Sequence, residues 1–250
     1  MWSTGALTLR WFVLTPLSSL RCGTAREVDG LVDPDRIAAL RAHYAGIGLD
    51  EADLPADPIV AFERWLDEVI ELGVPEPNAM VLSTVGADGA PSSRHVLLKG
   101  IGSAGFVFFT NYGSRKGLDL AANPRVSLCF PWFSIGRQVV VSGHVSKVTR
   151  VETEAYFTSR PRESQLGTWA SAQQSQVVPS RRWLEERYDE VAHRFEGVDV
   201  VPVPDFWGGY RVAPVTVEFW QGRLARMHDR LRYKRPDYGT GAWVVERLSP

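Results

Sequence analysis

Cysteine is nearly missing from this chain, with two residues in 250, Cys22 and Cys129. They lie far apart and without metal-ligand spacing, so no disulfide framework and no zinc site is read, which fits a reducing, cytoplasmic compartment. Long apolar runs are missing too. The stretch Trp11–Leu17 is broken by Thr15 and Pro16 and is too short to span a bilayer, so no membrane role is expected. Nor is there an excess of one charge: 28 basic side chains face 29 acidic ones, which argues against a nucleic-acid partner held by bulk electrostatics. The chain has no GxSxG, HExxH or GxxxxGK[ST] pattern and no convincing carboxylate pair. That removes the commonest hydrolase, zinc-protease and Walker-loop chemistries.

What is present suits a folded protein. Hydrophobic residues make up 44% and aromatic residues 11%, enough for a substantial core. Residues 1–30 differ from the rest: no acidic side chain precedes Glu27, and Arg10, Arg21 and Arg26 sit among Ser and Thr. They read as a disordered or targeting-like tail, or as a start placed too far upstream, ahead of a single domain over 31–250. Asp33-Pro34 and Asp57-Pro58 each combine an N-cap with a first-turn proline. Ile37, Leu40 and Tyr44 follow the first at helical spacing; Phe62, Trp65, Leu66, Val69 and Ile70 follow the second, with Gly73 as the stop. From Ala79 the period changes to that of strands: AMVLSTV, HVLLK, GFVFFTN, RVSLCFPW, RQVVVSGHVSKV, YRVAPVTVEFW, ARMHDRLRY and AWVVERL. A short helix over SRKGLDLAAN, a Thr149/Glu152 capping box and a helix from Ser180 to Phe195 interrupt them. Many antiparallel strands with inserted helices predict an α+β barrel.

Basic side chains gather in four places. Residues 219–235 hold six of them plus His228. On a strand over 225–233, alternation would put Arg226, His228, Arg230 and Arg232 on one face, either as a solvated edge or as a face awaiting an anion. In TNYGSRKG, Gly113, Ser114, Arg115 and Lys116 open a helix and could cradle a phosphate. RHVLLK places Arg94 and Lys99 at the ends of one strand, and Tyr156, Arg160 and Ser164 recur every four residues, the first two on one helix face. Each cluster alone is explained by solvation. Together they suggest two phosphorylated small molecules, and the lack of acid–base machinery suggests that a cofactor carries the reaction.

These motifs, in the order RHVLLK, TNYGSRKG, NPRVSLCFPWFSIGRQV, YFTSRPRESQLGTWAS, FWGGYRV, EFWQGRLARMHDR and a terminal W-x-x-x-RLSP, resemble the pyridoxine (pyridoxamine) 5′-phosphate oxidase family from about Ile37 to Pro250. The resemblance implies an α+β, FMN-binding split β-barrel with peripheral helices. It also implies a homodimer with FMN at the subunit interface. Pyridoxine 5′-phosphate or pyridoxamine 5′-phosphate would be oxidised to pyridoxal 5′-phosphate, with oxygen as acceptor and hydrogen peroxide as product. By the same resemblance, Arg94, His95, Val96, Leu97, Leu98 and Lys99 would line the flavin, with Phe109 as part of its wall and Thr110, Arg115 and Lys116 on its phosphate side. Gln138, Gln173, Gln174, Trp220 and Arg230 would complete that shell. Lys99, Tyr156, Arg160 and Ser164 would clamp the substrate phosphate. Arg226, Met227 and His228 would meet the substrate ring, with Arg226 and His228 as the catalytic pair. Arg41 and Tyr44 would close over the site. The chain departs from the family pattern at Phe109, where tyrosine is frequent, at Gln174, where serine is common, and at His95 and Met227.

Two other readings compete. One is a flavin- or deazaflavin-dependent reductase of the same superfamily, although such relatives generally lack the Arg226-x-His228-x-Arg230 segment and the Tyr156/Arg160/Ser164 clamp. The other is a non-catalytic carrier of FMN or pyridoxal phosphate, which would use the same residues. Turnover separates them.

Overall fold

The computed structural model describes residues 48–235 and 241–250. Residues 1–30, the helix expected after Asp33-Pro34, Cys22, Arg41 and Tyr44 lie outside the described residues. Helix α1 (Pro58–Glu71) follows local sequence closely: the Asp57 carboxylate accepts from the Ile59 N–H, Pro58 occupies the first turn, and Gly73 leaves the helix at φ 68°. Its stripe of Phe62, Trp65 and Val69 is buried, whereas Ile70, expected on the same face, is 53% exposed.

Nine strands form one antiparallel sheet: β1 (Ala79–Val85), β2 (Pro91–Leu97), β3 (Gly100–Gly102), β4 (Gly105–Asn111), β5 (Arg125–Trp132), β6 (Arg137–Lys147), β7 (Trp207–Gln221), β8 (Asp229–Lys234) and β9 (Val244–Arg247). The order is β2-β1-β5-β6-β7-β4-β3, with β8 on β7 and β9 on β8. Alternation accounts for the strands: β1 and β5 bury every second residue. β7, with 15 residues, is the longest. It pairs with β6 along one edge; on the other it pairs first with β4 (Phe106↔Val212 to Asn111↔Trp207) and then with β8 (Thr216↔Lys234 to Gln221↔Asp229). The hand-over falls at Pro214, which has no N–H to donate, beside a bulge in which Val215 of β7 is the extra residue between the pairs Ser142↔Thr216 and Gly143↔Pro214. Gly143 is required there, since a Cβ would lie 2.2 Å from the Ala213 carbonyl oxygen.

The main core lies between α1 and the sheet. The Phe62 ring meets Phe106 at 5.0 Å and Phe130 at 4.7 Å, both edge-on, and Trp65 meets Phe219 at 5.0 Å. A short helix, α2 (Arg115–Ala122), follows β4, and a second core belongs to three later helices, α3 (Arg150–Ser159), α4 (Arg162–Ala170) and α5 (Arg181–Arg194). Phe157, Leu166, Val191 and Phe195 pack there with Trp207 at the start of β7. The Thr149/Glu152 capping box is present on α3, and Ser180 caps α5. The sequence reading lacks β3 and α4 and starts β2 four residues late. This is a split-barrel α+β fold. Among the described residues no helix is long and apolar enough to cross a membrane, and no cluster of side chains could hold a metal ion.

Phe62→Ala removes a fully buried ring from the centre of the main core. It is expected to lower unfolding free energy by about 3–5 kcal/mol, measured from urea midpoints; a loss under about 1 kcal/mol would place the core elsewhere.

Candidate active site

A cavity of about 690 Å³ opens between the β2 edge, β4, the start of β7 and helices α2 to α4. β2 ends the sheet and pairs only with β1, so its outer backbone edge is unpaired within the sheet. This accounts for how Arg94, His95, Val96 and Leu97 all line one cavity although their side chains alternate: the segment presents its backbone edge. Leu98 is buried in the core and its N–H donates to the Asn78 carbonyl. Lys99, beyond the end of β2 rather than on it, turns into the cavity.

One end of the cavity is cationic. Lys116, on the first turn of α2, donates through Nζ to Ser114 Oγ at 3.3 Å and to Gln174 Oε1 at 3.4 Å. Burial, and then the charge of Arg94, hold its ammonium below the usual lysine range. Arg94 is fixed by bonds from its guanidinium to Thr84 Oγ1 (2.7 Å) and Ser92 Oγ (2.6 Å). The buried Asp119 carboxylate lies 3.7 Å from Arg94 and 3.5 Å from Arg115, and accepts from the Thr84 hydroxyl at 2.7 Å. Thr110 is buried against this end. Two expectations change here. Ser114 is fully buried, donates to the Asn111 carbonyl and accepts from the Gly117 N–H, so its hydroxyl is a helix cap and is spent. Arg115, with a side chain 55% exposed, does not line the cavity. Gly117 lets α2 tuck in, since a Cβ would lie 2.2 Å from the Tyr112 carbonyl oxygen.

The other end combines Lys99, Tyr156, Arg160 and Ser164. Tyr156 stacks on Phe109 at 4.0 Å, and Phe109 on Trp207 at 5.4 Å, making an aromatic wall. The Arg160 guanidinium lies 4.9 Å over the Trp207 ring and donates to Thr168 Oγ1 at 2.7 Å. Burial lowers its pKa, and among the described residues no carboxylate pairs with it. These residues do not share one helix, as their spacing suggests. Arg160 ends α3 in an extended conformation (φ −77°, ψ 149°), because Pro161 disfavours helix at the residue before it, and Ser164 belongs to α4. The angle between α3 and α4 still brings all three to one cavity.

The remaining expected residues are elsewhere. Gln138 of β6 is opposite Trp220 of β7, and Trp220 is opposite Arg230 of β8, at the far end of β7 from Thr110, which is opposite Gly208. Gly208 and Trp220 are twelve positions apart, roughly 40 Å of strand at about 3.3 Å per residue. Gln173 does not line the cavity, though Gln174 does. Nor is 225–233 one strand. Leu224–Arg226 form a single 3-10 turn, with Ala225 at φ 54° and Arg226 at φ 62°, and β8 begins only at Asp229. These left-handed residues hold Arg226 and Met227 outward, both exposed, while His228 Nδ1 accepts from the Arg223 N–H at 3.0 Å. Nε2 therefore carries the proton of the neutral ring. Arg230 and Arg232 are paired within the protomer, with Glu218 at 2.7 Å and Glu246 at 2.6 Å. Arg226 pairs with no described carboxylate. Sequence reasoning missed Asn111, Thr168, Ser171 and Trp207 as lining residues. The FWGGYRV motif pointed at Trp207, and the four-residue recurrence from Tyr156 runs on to Thr168.

Comparison with known proteins gives two family models. "Pyridoxamine 5′-phosphate oxidase" matches residues 66–195 and "Pyridoxine 5′-phosphate oxidase C-terminal dimerisation region" matches residues 207–250. The chain is 66% identical over 203 residues to a pyridoxine/pyridoxamine 5′-phosphate oxidase of Acidothermus cellulolyticus, covering 81% of this chain and 90% of that protein. It is 55% identical over 214 residues to one of Salinispora arenicola, covering 85% and 96%. Among solved structures it is similar to PhzG from Burkholderia lata 383 in complex with tetrahydrophenazine-1-carboxylic acid, with a TM-score of 0.76 and 30% identity, over 84% of this chain and all of that one. A pyridoxamine 5′-phosphate oxidase-related, FMN binding protein from Nostoc punctiforme shares the fold, with a TM-score of 0.60 and 15% identity, over 79% of this chain and 98% of that one. With family models spanning the sheet, the cavity and the C-terminal strands, the chain belongs to the pyridoxine/pyridoxamine 5′-phosphate oxidase family.

Proposed function

We propose that this chain is an FMN-dependent oxidase that converts pyridoxine 5′-phosphate or pyridoxamine 5′-phosphate to pyridoxal 5′-phosphate, with oxygen as acceptor. The observation that carries this reading is one cavity with two cationic ends, Arg94 with Lys116 and Lys99 with Arg160, joined by the β2 edge and the Phe109 wall. Two cationic ends suit two phosphates. The donor set fits FMN: Lys116, Gln174 and Thr110 would hold its phosphate, and Val96 and Leu97 with the β2 backbone would flank its ring system. When bound, FMN would take a hydride from the substrate and pass the electrons to oxygen, giving hydrogen peroxide.

The chain's own residues would do the rest. Lys99, Tyr156, Arg160 and Ser164 would bind the second phosphate, with Arg160 supplying charge-assisted N–H donors from a planar fork. Arg226 would act electrostatically over the substrate ring, and His228 would offer Nε2–H as a donor. Both belong to the far end of β7, together with Trp220 and Arg230. The separation along β7 and the dimerisation-region match over 207–250 support a homodimer, in which the 224–230 segment of one protomer completes the cavity of its partner.

In the absence of oxygen, pyridoxine 5′-phosphate is expected to bleach the visible flavin absorbance of the FMN-loaded protein, with pyridoxal 5′-phosphate appearing in step. Flavin that stays yellow would favour the reductase or carrier reading. Bleaching by reduced tricyclic carboxylates alone would favour a chemistry closer to the ligand of the Burkholderia structure. Arg160→Ala is expected to weaken substrate binding by about 1.5–3 kcal/mol, the scale of a charged hydrogen bond, while FMN stays bound. An unchanged Michaelis constant would remove Arg160 from the clamp.

A further inference from the structure

We propose that Thr168 is a positioning residue that fixes the Arg160 guanidinium for a phosphate and thereby sets affinity for the phosphorylated substrate; this rests on the oxidase reading above. Thr168 is 7% exposed and lies on α4, one turn after Ser164. Its hydroxyl carries one proton, and that proton goes back to the Ser164 carbonyl at 3.0 Å. The oxygen lone pairs are therefore turned to Arg160 Nη1, which donates to them at 2.7 Å. A single hydroxyl thus ties together two members of the clamp.

The tie matters because little else restrains this guanidinium. No described carboxylate pairs with it; the faces of Trp207 at 4.9 Å and Phe157 at 5.7 Å set its height but not its rotation, and the nearby Tyr156 phenol makes no hydrogen bond to it. A carboxylate here would fix the arginine and also neutralise it. A threonine hydroxyl fixes it and leaves the full positive charge for an anion. Branching at Cβ narrows the hydroxyl's own freedom. The backbone of Arg160 is held separately: Gln165 Nε2 donates to its carbonyl at 2.8 Å and to that of Thr158 at 3.3 Å, bracing the break between α3 and α4. The main chain and the side-chain tip of Arg160 are thus secured by two different residues of α4, and among the described residues the Thr168 bond is the one hydrogen bond made by the tip.

Three variants separate this role from plain helix packing. Thr168→Val keeps the shape and loses the hydroxyl; Thr168→Ser keeps the hydroxyl and loses the methyl; Thr168→Ala loses both. In the FMN-loaded protein, Val and Ala are expected to raise KM for pyridoxine 5′-phosphate, and Kd for pyridoxal 5′-phosphate, by about three- to tenfold, the value of one hydrogen bond. kcat and FMN affinity should stay near wild type, and Ser should restore both KM and Kd. Wild-type values for Val, or a serine variant as impaired as alanine, would overturn the assignment and leave packing as the role. Wild type that binds pyridoxal 5′-phosphate without turning over either substrate would overturn the oxidase reading alone, because the variants are still ranked by Kd. Wild type with no affinity for pyridoxal 5′-phosphate would overturn both.

Discussion

β7 exchanges hydrogen bonds with β6 along one edge and with β4 and then β8 along the other, and this double pairing governs where everything functional lies. Its first residues, Trp207 to Gly209, back the cavity through β4 and the aromatic wall. Its last residues, Phe219 to Gln221, carry β8 and the 224–228 turn. Backbone pairing is obligatory for buried strands, so neither end can move without losing ladder bonds. A strand that long and that fully paired acts as a rigid spacer. It keeps the cationic cavity and the Arg226/His228 turn at opposite ends of one protomer.

Charge follows the same division. At the cavity, cations outnumber carboxylates: Asp119 serves Arg94 and Arg115, while Lys116 and Arg160 pair with neutral oxygens of Ser114, Gln174 and Thr168. Burying such groups is costly, and the lowered pKa values of Lys116 and Arg160 record that cost. Along β8, by contrast, Glu218 pairs with Arg230, and Glu246 is shared by Arg232 and Lys234. The first arrangement leaves positive charge facing the cavity. The second is a stable cross-strand ladder.

The sequence was legible where the cause is local. Asp57-Pro58, the Thr149/Glu152 box and the alternation of β1 and β5 depend on residues within a turn or a strand, and each forms as read. The break at Arg160 was legible as well, since a proline follows it, but the four-residue recurrence masked it. The 224–228 turn was not legible: alternating charges imitate a strand, and Ala225 and Arg226 are unusual residues for left-handed backbone. Pairings distant in sequence were invisible too, among them Glu218 with Arg230 and the three strand partners of β7. Register depends on residues far apart in the chain. The candidate site residues were thus named from motifs, but their division into two groups came only from the sheet.

That division leads to the central claim: each active site takes its phosphate-binding cavity from one protomer and its Arg226/His228 turn from the other. Mixing the Arg160→Ala and Arg226→Ala proteins, after dissociation and reassociation, and assaying at substrate far below the Michaelis constant, where each variant alone is strongly impaired, tests it directly. A mixed dimer would hold one site with both substitutions and one with neither. Random pairing makes about half the dimers mixed, with one competent site of two, so activity should return to about a quarter of wild type. Activity no higher than that of the two separate variants would mean that each protomer builds its site alone, contrary to this account.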